Sequence, residues 1–189
     1  MWQIYIYKYV SVFLVLIAML DVANAQSMPL TIINSTTSYN IGYRVELFNQ
    51  GNSSNDCLPI FSGTSGNYMI AVGDKVKIQD VNHYEYPYIG SYVIESWCYN
   101  YDWLNPTICY GPYNIPPLIA GAPLALQSVI EWESATILIY DLLGNHKDTV
   151  IIGRSNCSAS PTYSETSPSV GVLITWQIID GEIIVDISE

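Results

Sequence analysis

The last eighteen residues constrain this chain most. Val172, Ile174, Trp176 and Ile178 alternate with smaller or polar residues, then Asp180-Gly181 follows, then Ile183, Val185 and Ile187 alternate again. Side chains on a strand point to opposite faces in turn, so each alternating set lines one face. Asp-Gly between two β-branched runs marks a two-residue hairpin, because both turn positions tolerate positive φ. A long apolar strand at the end of such a hairpin must be central or covered, since a bare edge would recruit other chains.

The same grammar runs upstream. Leu30 to Asn34 reads as a short first strand. In Ile41 to Phe48, the residues Ile41, Tyr43, Val45 and Leu47 share one face and Gly42, Arg44 and Glu46 the other. Asn49 to Asn67 reads as a long polar loop. Tyr68 to Val72 and Lys75 to Ile78, joined at Gly73-Asp74, read as a hairpin with Lys75 and Lys77 toward solvent. Ile89 to Tyr99 is the next strand, with Val93, Trp97 and Tyr99 on one side and Tyr92, Ile94 and Cys98 on the other. Pro106 to Pro123 holds five prolines and breaks regular structure. Leu124 to Ile130 reads as a strand, with one short helical turn near 118–128 as the alternative. Ala135 to Asp141 and Asp148 to Ile152 form another hairpin, and Ser155 to Ser169 a surface loop. Short strands separated by Gly, Pro, Asn and Ser clusters predict an all-β fold. The expected architecture is an antiparallel β-sandwich of Greek-key or jelly-roll type, in one domain over residues 26–189.

Residues 1–25 read as a secretory signal. Lys8 precedes the apolar run Val10 to Leu20, and Ala23-Asn24-Ala25 is a small-residue cleavage site before Gln26. A retained membrane anchor is the competing reading. A span needs about 20 apolar residues, and this run is shorter. Cleavage removes Lys8 and Asp21 and leaves the formal charge at −11. That charge excludes a basic nucleic-acid footprint, disfavours anionic lipid and leaves no expected membrane association after cleavage. The expected location is extracellular, or periplasmic in a bacterium.

Export allows disulfides. Cys57, Cys98, Cys109 and Cys157 admit three connectivities. Cys98–Cys109 with Cys57–Cys157 is preferred, because the first pair brackets a short turn-rich segment and the second ties two distant loops. Asn34-Ser35-Thr36, Asn52-Ser53-Ser54 and Asn156-Cys157-Ser158 match the glycosylation pattern, making Asn34, Asn52 and Asn156 candidate acceptors. The opening Leu30-Thr31-Ile32-Ile33-Asn34, followed by a tyrosine-bearing strand, resembles the start of thaumatin-like secreted sandwiches. That family's dense cysteine framework is missing, and the likeness covers the first forty mature residues.

The densest chemical feature is aromatic. Ten tyrosines and tryptophans lie between Tyr84 and Tyr113. Rings with apolar faces and polar handles suit interfaces, and sugar C–H faces stack on them while nearby Asn and Asp side chains hold hydroxyls. Tyr99, Tyr101, Asp102, Trp103 and Tyr110 are the candidate ligand-binding residues, for carbohydrate or an extracellular protein. A structural, oligomer-forming envelope component without a small ligand is the alternative. A hydrolase ranks below both.

The catalytic arguments are thin. His83 lies near Glu85 and His146 near Asp148, a pairing that can orient a general base, but no serine sits in a G-x-S-x-G elbow. Glu131 and Glu133 flank Trp132 and would lie roughly 7 Å apart on one strand face. Paired carboxylates serve glycoside hydrolysis, although a solvated face with Trp132 turned inward explains them more simply. Asp141-x-x-Gly144-Asn145-x-x-Asp148 does not match the calcium-loop pattern and reads as a hairpin turn. No catalytic residue, metal ligand or cofactor is assigned.

Overall fold

The computed structural model describes residues 28–49, 60–78, 96–100, 108–110, 130–153 and 162–189. Every regular element among them is a strand: β1 Leu30–Asn34, β2 Tyr39–Asn49, β3 Ile60–Thr64, β4 Lys75–Ile78, β5 Ser96–Asn100, β6 Ile108–Tyr110, β7 Ile130–Asp141, β8 His146–Gly153, β9 Ser164–Thr166, β10 Leu173–Ile179 and β11 Glu182–Ser188. They form a five-stranded sheet, β4-β1-β11-β10-β9, and a six-stranded sheet, β6-β5-β3-β2-β7-β8. The core holds the inward rows of both: Leu30 and Ile32, Ile41 to Leu47 at every second residue, Ala135, Ile137 and Ile139, and Ile174, Ile183, Val185 and Ile187. The expected β-sandwich is therefore present. Among the described residues no helix is long and apolar enough to cross a membrane.

The C-terminal hairpin forms as its alternation dictates. Asp180 and Gly181 take φ of 51° and 77°, and Trp176 pairs with Val185 and Ile174 with Ile187. β11 lies between β10 and β1, so the apolar terminal strand is covered on both edges. Its pairing with β1 is parallel, Ile32 facing Val185. A parallel pair needs a long crossover. Here the crossover includes the whole six-stranded sheet, a relationship no local pattern encodes.

Three local expectations are corrected. Residues 60–64, assigned to a polar loop, form β3 between β2 and β5. Residues 68–72 form no strand. Ile70 makes a single antiparallel bridge to Ile41, and Lys75–Ile78 pairs with β1 instead. The expected facing still holds on β4, with Val76 and Ile78 buried and the two lysines exposed. Residues 164–166, placed in a surface loop, add an edge strand to β10. The helical turn near 118–128 and most of the strand expected over 89–99 lie outside the described residues.

β7 runs through Trp132 without a break, and it contains a bulge. Glu46 faces Ser134 and the next residue, Leu47, faces Trp132, leaving Glu133 as the extra residue. The bulge resets the alternation so that Trp132 and Ala135, three apart, both join the core. Trp132 also donates its indole N–H to the Met28 carbonyl at 2.8 Å, tying the approach to β1 to the opposite sheet. The sheets meet again at one side, where Gly153 and Thr162 exchange backbone hydrogen bonds of 2.9 and 2.7 Å.

Candidate functional site

The candidate binding segment lies in sequence between β5 and β6, the first two strands in the order of the six-stranded sheet. β5 pairs with β6 so that Trp97 faces Tyr110, Cys98 faces Cys109 and Tyr99 faces Ile108. Rows across the sheet give these positions a side. One runs Leu47–Phe61–Tyr99–Ile108 and starts on the core-facing row of β2. The next runs Glu46–Ser62–Cys98–Cys109 and starts on its opposite face. Tyr99 lies on the first of these rows and Tyr110 on the row Val45–Gly63–Trp97–Tyr110, which also starts on the core-facing row of β2. Tyr101, Asp102 and Trp103 belong to the connection between the two strands and lie outside the described residues; Cys57, Cys157, Asn52, Asn156, His83 and Glu85, in other segments, also lie outside them.

On the outer face beside the cysteine row lies a polar ladder that sequence reasoning did not single out. Ser134 donates to Glu46 at 3.2 Å, Arg44 pairs with Glu46 at 3.2 Å, and Arg44 also donates to Ser62 at 3.2 Å. The signal was available, because Arg44 and Glu46 share the outward phase of β2. Their meeting with Ser62 required β3, which the sequence reading lacked.

The acid and histidine candidates separate in space. His146 Nε2 lies 2.9 Å from Thr149 Oγ1, and its ring meets Tyr140 edge to face. The Asp148 carboxylate turns elsewhere, accepting the Ser167 hydroxyl, the Ser169 N–H at 3.0 Å and the Thr149 N–H at 2.8 Å. Those donors, the Ser167 hydroxyl foremost, hold its pKa down at about 2. It latches β8 to the turn after β9. Glu133 is 6 % exposed, so the expected solvated face is corrected: the bulge turns this carboxylate inside. The side chain of Glu131 is outside the described residues.

Asp141 organises the β7–β8 turn. Its carboxylate accepts the Leu143 and Asn145 N–H groups at 2.9 and 2.8 Å and the Asn145 amide, and it pairs with Lys147 at 2.9 Å. Lys147 and Asn145 hold the carboxyl well below the usual range. With a lysine on it, this acid is a turn clamp. Among the described residues no group of three or more His, Cys, Asp or Glu side chains converges on a common point.

Asn34 has a structural place in the folded chain. It is 0 % exposed. Its amide donates to the carbonyls of Tyr39 at 2.9 Å and Ile70 at 3.0 Å. Its Oδ1 accepts the Thr36 N–H at 3.2 Å and the Thr36 hydroxyl at 2.7 Å. Both amide hydrogens are used and the site is sealed, so the folded chain has no room for a glycan there. The triplet that reads as a sequon builds the corner between β1 and β2. A local Asx turn of this kind is a common use of Asn before Ser or Thr.

Comparison of the chain with protein-family models, with curated proteins and with solved structures gives no match. The likeness of residues 30–34 to thaumatin-like openings therefore stands on those residues alone.

Proposed function

We propose that the chain is exported with loss of residues 1–25 and works outside the cell by binding. Its ligand is carbohydrate or the surface of another protein, held by the aromatic connection that contains Tyr101, Asp102 and Trp103. The observation that carries this reading is the cysteine register. Cys98 and Cys109 face each other on neighbouring antiparallel strands. Facing Cα atoms in such a pair are about 4.5–5.5 Å apart, inside the window of about 4.4–6.8 Å that a disulfide accepts. A bridge there closes residues 99–108 into a small ring at a sheet edge. Rigid scaffolds present binding loops in this way, and a closed loop loses less entropy when it binds.

Tyr101 and Trp103 supply stacking faces and Asp102 an acceptor for hydroxyls. Tyr99 and Tyr110, on rows that begin in the core, support the loop base. Cys57–Cys157 is the second bridge, and Asn52 and Asn156 remain the glycan acceptors. Pull-down on insoluble polysaccharides and a glycan array test the reading, using the exported chain and a Tyr101→Ala/Trp103→Ala variant. Retention by the wild type and loss in the variant is the expected result. Equal signals discard these residues. Non-reducing peptide mapping should recover a linked pair containing Cys98 and Cys109, and two free thiols there would remove the ring.

A further inference from the structure

The β7–β8 turn carries an apolar tip that the fold does not require. Leu142 and Leu143 are 62 % and 89 % exposed, side by side at the end of a hairpin. Gly144, at φ 85°, supplies the left-handed position, and Asp141 supplies the capping carboxylate. The two residues between them can be anything, and turns ordinarily fill such places with polar residues. Single exposed apolar residues need no explanation. Two adjacent leucines on a clamped turn do, since among the described residues nothing covers them.

We infer that this tip dips into an electroneutral phospholipid surface. Three observations favour lipid. First, the N–H groups of Leu143, Gly144 and Asn145 are already satisfied within the turn. The Leu143 and Asn145 N–H groups bond the Asp141 carboxylate, the Gly144 N–H bonds the Asp141 carbonyl at 2.9 Å, and the Asp141 N–H bonds the Asn145 carbonyl at 2.9 Å. A turn entering hydrocarbon must carry its hydrogen bonds with it. Second, the one carboxylate of the tip is neutralised by Lys147. Third, the tip is convex and aliphatic. Protein hot spots favour Trp, Tyr and Arg and under-use Leu, whereas hydrocarbon accepts a protruding leucine without a shaped pocket.

The register places the turn at residues 71–74, with exposed Val72, at the same end. Ile70 pairs with Ile41 as Tyr39 pairs with Asp141. Asp74, Asp186 and Glu189 lie toward this end as well, and the chain as a whole carries −11. Anionic lipid is therefore repelled and zwitterionic lipid is the occupant. The expectation of no membrane association after cleavage is set aside here, and only the charge argument against anionic lipid is kept. Two leucines, at about tenfold each, give reversible attachment weaker than the marginal binding of a single acyl chain.

Sedimentation of the full chain with phosphatidylcholine vesicles tests this inference, with vesicles containing phosphatidylserine as the second arm. Partition should fall about tenfold for each of Leu142→Ser and Leu143→Ser, and phosphatidylserine should weaken it. Leu143→Trp should retain binding and shift its emission to the blue on phosphatidylcholine. Both residues are exposed, so thermal melting should not change and folding is not at stake. Absence of partition, equal partition of wild type and the double serine variant, or binding only with phosphatidylserine would overturn the inference. None of these results bears on the aromatic loop, which the polysaccharide assay reads separately.

Discussion

Replacing Asn34 with alanine tests whether the first sequon is a structural corner. The side chain makes four hydrogen bonds inside a sealed site. Their loss is unequal. The Ile70 carbonyl keeps the Ile41 N–H at 3.0 Å, and the Tyr39 carbonyl keeps the Thr36 hydroxyl at 3.0 Å. Each therefore drops from two donors to one, at about 0.5–1.5 kcal/mol apiece. The Thr36 N–H loses its acceptor in a buried position, which costs about 1–3 kcal/mol. Together these give a loss of about 2–6 kcal/mol, or about 10 °C in melting temperature for a domain of this size. Urea unfolding followed by tryptophan fluorescence measures it, and the slope should not change because the fold does not.

Asn34→Asp sharpens the argument. It keeps the acceptor for Thr36 but aims a carboxylate at two carbonyl oxygens in a dry site. Burial and those oxygens raise the introduced group's folded pKa above its unfolded value of about 3.9. Its favourable, protonated form is therefore present at low pH and is lost as pH rises through the folded pKa. The variant should be worse than alanine at pH 7 and should close the gap near pH 4. A loss under about 0.5 kcal/mol for Asn34→Ala, or a glycan mapped to Asn34 on the folded exported chain, would refute the reasoning.

Two further outcomes follow from the same structure. Gly153→Ala places a Cβ 2.5 Å from the Glu133 carbonyl oxygen at a φ of 92°, so it should cost more than about 2 kcal/mol in a thermal melt. Gly171→Ala, at φ 74° with nothing within 4 Å, should cost only about 1 kcal/mol. Asp148, Asp141 and Glu182 all have carboxyl pKa values lowered by their partners. The stability each contributes is present above the unfolded carboxylate value and is lost as pH falls through the folded one. Acid unfolding between about pH 4 and 2 should therefore be shallower in Asp148→Asn, because one titrating latch is gone.

The period-two reading was enough for β2, β4 and most of the C-terminal hairpin; Ile178, expected in the inward row with Ile174 and Trp176, is instead exposed near the turn. The reading located Ile41, Tyr43, Val45 and Leu47 correctly because nothing interrupts their phase. It missed β3, Ile60-Phe61-Ser62-Gly63-Thr64, because two of the five residues are Ser and Gly, and its stability comes from neighbours on both sides. It read 68–78 as one hairpin because Gly73-Asp74 is a good local turn. The partner of Lys75–Ile78 lies some forty residues back in β1. Partnerships of that range are set by burial across the two sheets. Asn34 shows the same limit: the motif is legible, but only the approach of Ile70 decides that its amide is sealed. Leu142 and Leu143 passed as turn filler because turn chemistry is read from Asp, Gly and Asn.

β7 shows where a phase error in the sequence is itself information. Trp132 and Ala135 are both apolar and three residues apart, which no uninterrupted strand can place on one face. Either the strand ends between them or one residue is extruded, and the structure extrudes Glu133. Deleting Glu133 should therefore restore unbroken alternation. Trp132, Ala135, Ile137 and Ile139 would stay on the core side, and a buried carboxylate would disappear. The deletion should fold, keep the emission maximum of the wild type, and remain within about 2 kcal/mol of it in urea. Deleting Leu138 shortens the strand equally but sets Ile139 directly beside Ile137, so the two can no longer share the core face. One or the other must turn to solvent, at about 1.5–3 kcal/mol for each large apolar residue exposed. Gly153→Ala adds a second check: its clash is with the Glu133 carbonyl, so its cost should shrink in the Glu133 deletion while the positive-φ part persists. If the two deletions prove equally damaging, the extra residue is not what keeps Trp132 inside.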